Sequence, residues 1–217
     1  MNEILFAEIY YICVAIMLIL GFKTYHSMMK NSQKVSFLAV VFVHILYFQT
    51  DLVRMTTNSQ DLFLTEMSFL FFSLCTLSWF NYIQTMLDIH YEKKSQTLFA
   101  MLPVMINTLN GCLFQIDSYG NFQEGLLYIL YVFINDLYFM VGAYQAYVYS
   151  RKAKNYQQKK SNQILGIYMV SLLLIGTMQD FFRDIPVFCV SQVAGRYCVA
   201  VKKGDTKIVL FVNLIVQ

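Results

Sequence analysis

The chain has 217 residues, of which 58% are hydrophobic and only 13% are charged, and its formal net charge is +3. Soluble domains carry about 25% charged residues, so this composition excludes an ordinary soluble domain. Together with a positive mean hydropathy, it predicts a multi-pass membrane protein.

Seven apolar runs follow one another along the chain, separated by short polar connections. Each approaches the roughly 20 residues that a helix needs to span a bilayer, and none alternates in polarity as the strands of a membrane barrel do. We therefore predict an all-α bundle of seven transmembrane helices within residues 1–201, followed by a short, poorly ordered cytoplasmic tail over 202–217. The runs cover residues 4–22, 35–55, 62–87, 98–116, 126–150, 164–182 and, more weakly, 186–201.

Lysine and arginine are concentrated in alternate connections of this predicted bundle. The first, third and fifth connections contain ten of them, whereas the second and fourth contain none. Short loops rich in Lys and Arg remain in the cytoplasm, so the N-terminus is predicted outside and the C-terminus in the cytoplasm. The opening MNEILFAEI lacks the basic region of a cleavable signal peptide, which indicates a retained first span.

Several ionisable residues fall at similar depth, near the predicted outer ends of the spans. Charged groups within a bilayer are costly, commonly face the bundle interior and mark functional sites, so we predict one outward-facing ligand site or interhelical polar cluster. The alternative for any single residue is an interfacial side chain whose charge reaches the headgroups. The cluster comprises Glu8, Asp51, Arg54, Glu66, Asp180 and Arg183.

Enzyme signatures such as G-x-x-x-x-G-K, G-x-S-x-G and H-E-x-x-H do not occur in the sequence, so no catalytic activity is predicted. The five cysteines form no C-x-x-C pair and lie in apolar runs, which is typical of packing residues. We expect no metal, no cofactor and no nucleic-acid partner. The expected partners are the lipid bilayer, a small-molecule ligand outside, and either a second copy of the chain or a separate cytoplasmic signalling protein.

An ordered set of residues also matches a known family. Over residues 1–193 the chain resembles the N-terminal membrane sensor region of bacterial GGDEF-type diguanylate cyclases, mainly those of Firmicutes, which also precedes some sensor kinases. In that family an early acid, a Thr-Asp pair, a Trp, an F-x-I-D stretch with a later Asn and Gly, and a Gln followed by a Pro recur in this order. The matching residues here are Glu8, Thr50, Asp51, Trp79, Phe114, Ile116, Asp117, Asn121, Gly125, Gln179 and Pro186.

The sequence departs from that family at two motif positions and at its C-terminus. Arg54 stands where the family often has Trp, and Glu124 stands where a basic residue usually precedes the glycine. The family continues through a coiled linker into a cyclase domain, whereas this chain ends in RYCVAVKKGDTKIVLFVNLIVQ. We therefore expect either a truncated or frameshifted chain or one that works with a separate partner.

The resulting functional prediction is a membrane sensor, and the resemblance implies that its membrane is the bacterial cytoplasmic (cell) membrane. It would bind a ligand at its outer face and pass a small shift of the sixth and seventh helices to a diguanylate cyclase or kinase that this chain does not contain. One alternative is a small transporter or permease component, in which Asn107, Asn110, Asn135 and Asp136 would line a polar path. The charged residues lie near the predicted outer ends of the spans, and the sequence has no paired inverted halves, so the sensor is favoured. A third alternative is a non-functional remnant of a diguanylate cyclase.

Overall fold

The computed structural model describes residues 3–56, 61–89, 104, 107, 111–117 and 122–181, without the side chains of residues 3–6, 55, 56 and 175–181. The predicted run 186–201, the tail 202–217 and most of the run 98–116 lie outside these residues. The described part of the chain is mostly helical. Its elements are α1 (Glu3–Tyr25), α2 (Asn31–Thr56), α3 (Leu62–Met86), β1 (Phe114–Ile116), β2 (Phe122–Glu124), α4 (Tyr128–Lys152) and α5 (Tyr156–Phe181).

Three of the described helices are long and apolar enough to cross a membrane. These segments are Ala7–Tyr25, Asn31–Arg54 and Leu62–Met86, and they coincide with the first three predicted runs. Their length exceeds the minimum of about 17 residues for a span. Membrane association is therefore supported by these three helices.

A β-hairpin corrects the all-α prediction and the end of the fourth predicted run. Gly111 adopts a left-handed φ of 59°, and its N–H donates to the carbonyl of Asn107 at 2.8 Å, which is how many helices end. Beyond it, β1 pairs antiparallel with β2, with Phe114 opposite Glu124 and Ile116 opposite Phe122. Residues 114–116 are therefore strand, because the glycine terminates helical geometry before them.

The fifth connection is shorter than the polar sequence predicted. Helix α5 begins at Tyr156 rather than at residue 164, so the turn contains only residues 153–155. The Asn155 side chain accepts a hydrogen bond from the N–H of Gln157 at 3.0 Å, which caps the first turn. Gln and Lys favour helix, and residues 156–161 are exposed, so a polar helical turn forms there at little cost.

Helix α3 packs between α2 and α4, and its side chains carry much of the core. Trp79 is 1% exposed, and its ring lies against those of His44 on α2, at 6.3 Å, and Tyr168 on α5, at 5.1 Å. About 100° around α3 from Trp79, the Phe80 ring contacts Tyr138 of α4 at 5.3 Å. Burial on two faces explains why the sequence of α3 is apolar nearly all round.

The direction of each helix follows from these contacts. Helices α2 and α3 run in opposite directions, since Asp51 meets Ser68 at one end and Phe37 meets Tyr82 towards the other. Helices α1 and α2 do so too, because Asp51 also meets Tyr10 and Gly21 lies against Val41. Helices α3 and α4 instead run parallel, because Tyr131 contacts Phe69 and the later Tyr138 contacts the later Phe80.

Two ends of the bundle can therefore be named. The hairpin end contains β1, β2 and the first turns of α3 and α4. The basic end contains the α1–α2 connection and the α4–α5 turn, and there Lys30 forms an ion pair with Asp88 at 3.3 Å.

The α4–α5 contact predicts an engineered disulfide. A Cβ built on Gly166 lies 3.5 Å from the Cβ of Ala146, and disulfides require a Cβ separation of about 3.5–4.5 Å. In a variant without the native cysteines, Ala146→Cys with Gly166→Cys should cross-link readily on mild oxidation. The disulfide-linked chain is detected by its changed electrophoretic mobility after a protease cleaves the α4–α5 turn.

The control pairs Gly166→Cys with Tyr144→Cys. Tyr144 is 67% exposed and lies about half a turn away from Ala146 on the helix, so this pair should remain reduced. Equal cross-linking of the two pairs would contradict the packing of α4 on α5.

Candidate functional site

Asp51 belongs to the buried stripe of α2. That stripe repeats every three or four residues, as expected for one face of a helix, and it contains Phe37, Val40, Val41, His44, Tyr47, Phe48 and Asp51. Asp51 is only 4% exposed. The carboxylate is therefore buried because its helical position faces the core.

The Asp51 carboxylate is satisfied by four donors from three helices. Its Oδ1 atom accepts from Arg54 Nε at 3.0 Å, from Arg54 Nη2 at 2.7 Å and from Ser68 Oγ at 3.2 Å. Its Oδ2 atom accepts from the Tyr10 hydroxyl on α1. We call Tyr10, Asp51, Arg54 and Ser68 the Asp51 cluster.

The ion pair of this cluster lies within α2, between residues three apart. Neutral hydroxyl groups make the interhelical contacts. Burying a carboxylate costs several kcal/mol unless charge pairing and hydrogen bonds compensate it. Arg54 supplies the charge, while Tyr10 and Ser68 complete the hydrogen bonding and thereby hold α1 and α3 against α2.

A second polar pair joins α3 to the hairpin. The Asn107 side chain, 3% exposed, donates through Nδ2 to Glu66 Oε1 at 3.2 Å. Its Oδ1 atom accepts from the backbone N–H groups of Leu113 and Phe114 at 2.8 and 3.0 Å. Both ends of this amide are used, so Asn107 fixes the start of β1 relative to the buried Glu66.

Gly125 closes the hairpin at a position where no side chain fits. A Cβ built there would lie 2.2 Å from the backbone oxygen of Cys112, well inside van der Waals contact. The Gly125 N–H donates to the carbonyl of Leu113 at 2.9 Å, and the Leu127 N–H donates to that of Cys112 at 2.9 Å. Glycine is therefore required for the chain to enter α4 beside the hairpin.

Three phenylalanine rings stack where the hairpin meets α3. The Phe69 ring lies 4.9 Å from Phe114 and 6.0 Å from Phe122, with interplanar angles of 18° and 8°. The Tyr131 hydroxyl of α4 donates to the Phe69 backbone carbonyl at 2.7 Å. Phe69 thus contacts both strands and α4.

The structure divides the residues predicted for the site. Asp51 and Arg54 lie together, and Glu66 belongs to the neighbouring pair with Asn107. Glu8 is exposed on α1, and Asp117 is half-buried after β1. The side chains of Gln179 and Asp180, and the whole of Asn121, Arg183 and Pro186, lie outside the described residues.

The sequence did not place Tyr10 or Ser68 in the cluster. Tyr10 continues a buried stripe of α1 that contains Cys13, Met17 and Leu20, so its inward orientation could have been found from helical spacing. Its partner on α2 could not, because the pairing depends on how two helices pack.

No group of three or more His, Cys, Asp or Glu side chains within the described parts of the chain could hold a metal ion. Comparison with family models, with curated proteins and with solved structures finds no match. The class that the fold supports is a helical protein with at least three potential membrane spans.

Replacing Tyr10 tests the Asp51 cluster. Tyr10→Phe removes one donor to a buried carboxylate, and hydrogen bonds to charged groups are worth about 1.5–3 kcal/mol. We expect the free energy of unfolding, measured by denaturant titration in mixed micelles, to fall by that amount.

Tyr11→Phe is the matched control at the adjacent position. Tyr11 is 59% exposed, so the free energy of unfolding of the Tyr11→Phe variant should differ from that of the native chain by less than about 0.5 kcal/mol. Equal denaturation midpoints for the two variants would contradict the structural role of the Asp51 cluster.

Proposed function

We propose that this chain is a membrane-embedded sensor whose hairpin end faces outside and receives a small-molecule ligand. The observation that carries this proposal is the concentration of buried polar contacts at that end. The Asp51 cluster, the Glu66–Asn107 pair and the aromatic stack all lie there, beside a hairpin that reaches both α3 and α4. A ligand that displaced the hairpin would therefore act on two helices at once.

The distribution of basic residues supports this orientation. Among the described residues, Arg54 is the one Lys or Arg at the hairpin end, and Asp51 neutralises it. Arg151, Lys152, Lys154, Lys159 and Lys160 are all exposed at the basic end. Because cytoplasmic loops retain positive charge, this asymmetry favours a cytoplasmic basic end.

The helix directions support a seven-span topology with the N-terminus outside. Ile89 lies at the basic end and Leu113 at the hairpin end, so the chain between them connects opposite ends of the bundle, as a fourth span requires. If α3 and α4 both span the membrane, their parallel direction requires an odd number of crossings between them, which one span would satisfy. On this topology α4 and α5 are the fifth and sixth spans, while the predicted seventh run, 186–201, lies outside the described residues.

The proposed signal passes along α4 and α5 to the cytoplasm. Tyr131 connects the first turn of α4 to Phe69, whose ring stacks on Phe114 and Phe122 of the hairpin. A shift of α4 would reach the α4–α5 turn and then a cytoplasmic diguanylate cyclase or kinase. The resemblance to sensor regions of cyclases suggests this output, and the expected shift of the sixth helix follows from its packing against α4.

The transporter alternative draws less support from the polar residues. It requires Asn107 to face a path, yet both ends of the Asn107 amide bind protein groups. Asn110 lies outside the described residues. Of the other two residues, Asn135 is fully buried in the bundle and Asp136 is half-buried.

Topology provides the first test. A reporter fused after Lys160 should report the cytoplasm, and one inserted after Tyr119 should report the outside, because the basic turn and the hairpin lie at opposite ends. Paired enzymatic reporters with opposite compartment requirements measure this. The reverse pattern would place the proposed ligand site in the cytoplasm and overturn the proposal.

Signal transmission provides the second test. Phe122→Ala removes a ring that stacks on Phe69 and Phe114 and should loosen the hairpin. If α4 carries the signal, this change should alter the oxidation rate of the Ala146→Cys and Gly166→Cys pair several-fold. Residue 146 lies about 22 Å along α4 from Tyr131.

Phe133→Ala is the control for this transmission. Phe133 is on α4 but 55% exposed, so its loss leaves the hairpin contacts intact and should leave the oxidation rate unchanged. A rate that responds to neither substitution would show that the hairpin does not act on α4.

A further inference from the structure

One exposed face of α4 changes from apolar to aromatic to cationic along the helix. Its residues follow one another at intervals of three or four, so they lie in a single stripe. From the hairpin side towards the basic end, the stripe consists of Phe133, Leu137, Met140, Tyr144, Tyr147 and Arg151, all exposed. We call these residues the α4 stripe. A membrane favours this order on a helix surface, because apolar side chains contact acyl chains while Tyr and Arg lie at the interface.

The exposed face of α5 shows the same change of polarity. The two helices are antiparallel, since a Cβ built on Gly166 meets Ala146 and one built on Gly142 meets Met169. Both faces therefore become apolar with increasing distance from the α4–α5 turn. On α5 the exposed residues at this spacing are Lys160, Gln163, Ile167, Val170 and Leu174.

The length of the α4 stripe matches one half of a bilayer. A helix rises 1.5 Å per residue, so Met140 lies about 16 Å along α4 from Arg151. Half of the hydrocarbon core is about 15 Å thick. A phospholipid lying along the stripe would thus place its acyl chains beside Met140 and its phosphate beside Arg151.

Tyr147 and Arg151 form one polar unit at the end of the stripe. Arg151 Nη1 donates to the Tyr147 hydroxyl at 3.3 Å, and the guanidinium carbon lies 5.8 Å from the Tyr147 ring centroid. A guanidinium carries five N–H donors, so most of them remain for a ligand, and the Tyr147 hydroxyl can still donate its own proton. Arginine binds phosphate through two parallel hydrogen bonds, so this unit can hold a phosphate group.

No acidic residue offsets the positive charge of this region. Residues 137–179 include five Lys or Arg and no Asp or Glu. Elsewhere in the described chain Arg54 is paired with Asp51, and Lys30 with Asp88. None of the five forms an ion pair with a described residue. An anionic headgroup would supply the missing negative charge.

We propose that the α4 stripe and the α4–α5 turn bind an anionic phospholipid, with its phosphate on Tyr147 and Arg151 and its acyl chains along the apolar part of the stripe. A soluble anion or an acidic protein would use the cations but not the adjoining apolar surface, so the stripe favours a lipid. The inference rests on the proposed membrane placement of α4 and α5. It depends neither on ligand sensing nor on the side of the membrane that the turn faces.

Native mass spectrometry of the full chain, released from neutral micelles, measures this binding directly. Phosphatidylglycerol should bind more tightly than phosphatidylcholine. Arg151→Gln should weaken phosphatidylglycerol binding about five-fold, because one cation at a membrane surface contributes that much to the binding constant. Tyr147→Phe should weaken it by a smaller factor, since the ring remains. Both side chains are exposed, so the unfolding midpoints without added lipid should match that of the native chain.

Lys34→Gln is the matched control. Lys34 lies at the same basic end, but on α2, and its ammonium donates to the Tyr25 carbonyl at 3.1 Å. The substitution removes the same charge as Arg151→Gln, and the affinity for phosphatidylglycerol should stay close to that of the native chain. Equal losses in the two variants would reduce the effect to net charge and overturn the proposed site.

Soluble competitors separate a lipid from other anions. Glycerol phosphate carries the phosphate without acyl chains, and polyglutamate represents an acidic protein; neither should displace the lipid when added to the micelles at equal negative charge. Displacement by glycerol phosphate would assign a soluble-anion site, and displacement by polyglutamate an acidic protein partner. Equal binding of phosphatidylglycerol and phosphatidylcholine would leave only unspecific lipid contact. Micelles have no sides, so these results and those of the topology reporters can fail independently.

Discussion

The Asp51 carboxylate occupies a position in the α2 stripe where an apolar side chain would otherwise stand, and the hairpin end is organised around satisfying it. Arg54 neutralises the charge from the same helix, so this ion pair needs no contact from another helix. The remaining lone pairs then require donors from neighbouring helices, which Tyr10 and Ser68 provide. An uncompensated buried carboxylate costs several kcal/mol, so α1, α2 and α3 are held in one register at this end.

One turn of α3 connects this cluster to the rest of the hairpin end. Glu66 accepts from Asn107, Ser68 donates to Asp51, and Phe69 stacks on β1 and β2 while its carbonyl accepts from Tyr131. The four residues 66–69 thus contact α2, the hairpin and α4. The Asp61 side chain caps α3 one turn earlier, accepting from the N–H of Phe63 at 2.9 Å, so the start of this helix is also fixed.

Helical spacing explains which of these features the sequence predicted. The three-residue spacing of Asp51 and Arg54 implied that they share one helix face, and that pair is observed. Glu8 lies about 200° around α1 from Tyr10. The same spacing argument would have predicted that Glu8 is exposed, but it was instead predicted in the cluster. The hairpin was also predictable in part, because FQI and FQE flank the turn residues DSYGN. The Tyr10–Asp51 and Asn107–Glu66 contacts, between residues 41 apart, depend on tertiary packing and had no local signal.

The same contacts set how α4 could move relative to α3. Sliding one helix along the other would break the Tyr131 hydrogen bond to Phe69. Leaving a buried hydroxyl without its acceptor costs about 1–3 kcal/mol. Under the sensor proposal, a ligand would have to compensate that cost, because it can shift an equilibrium only by its differential affinity for the two states.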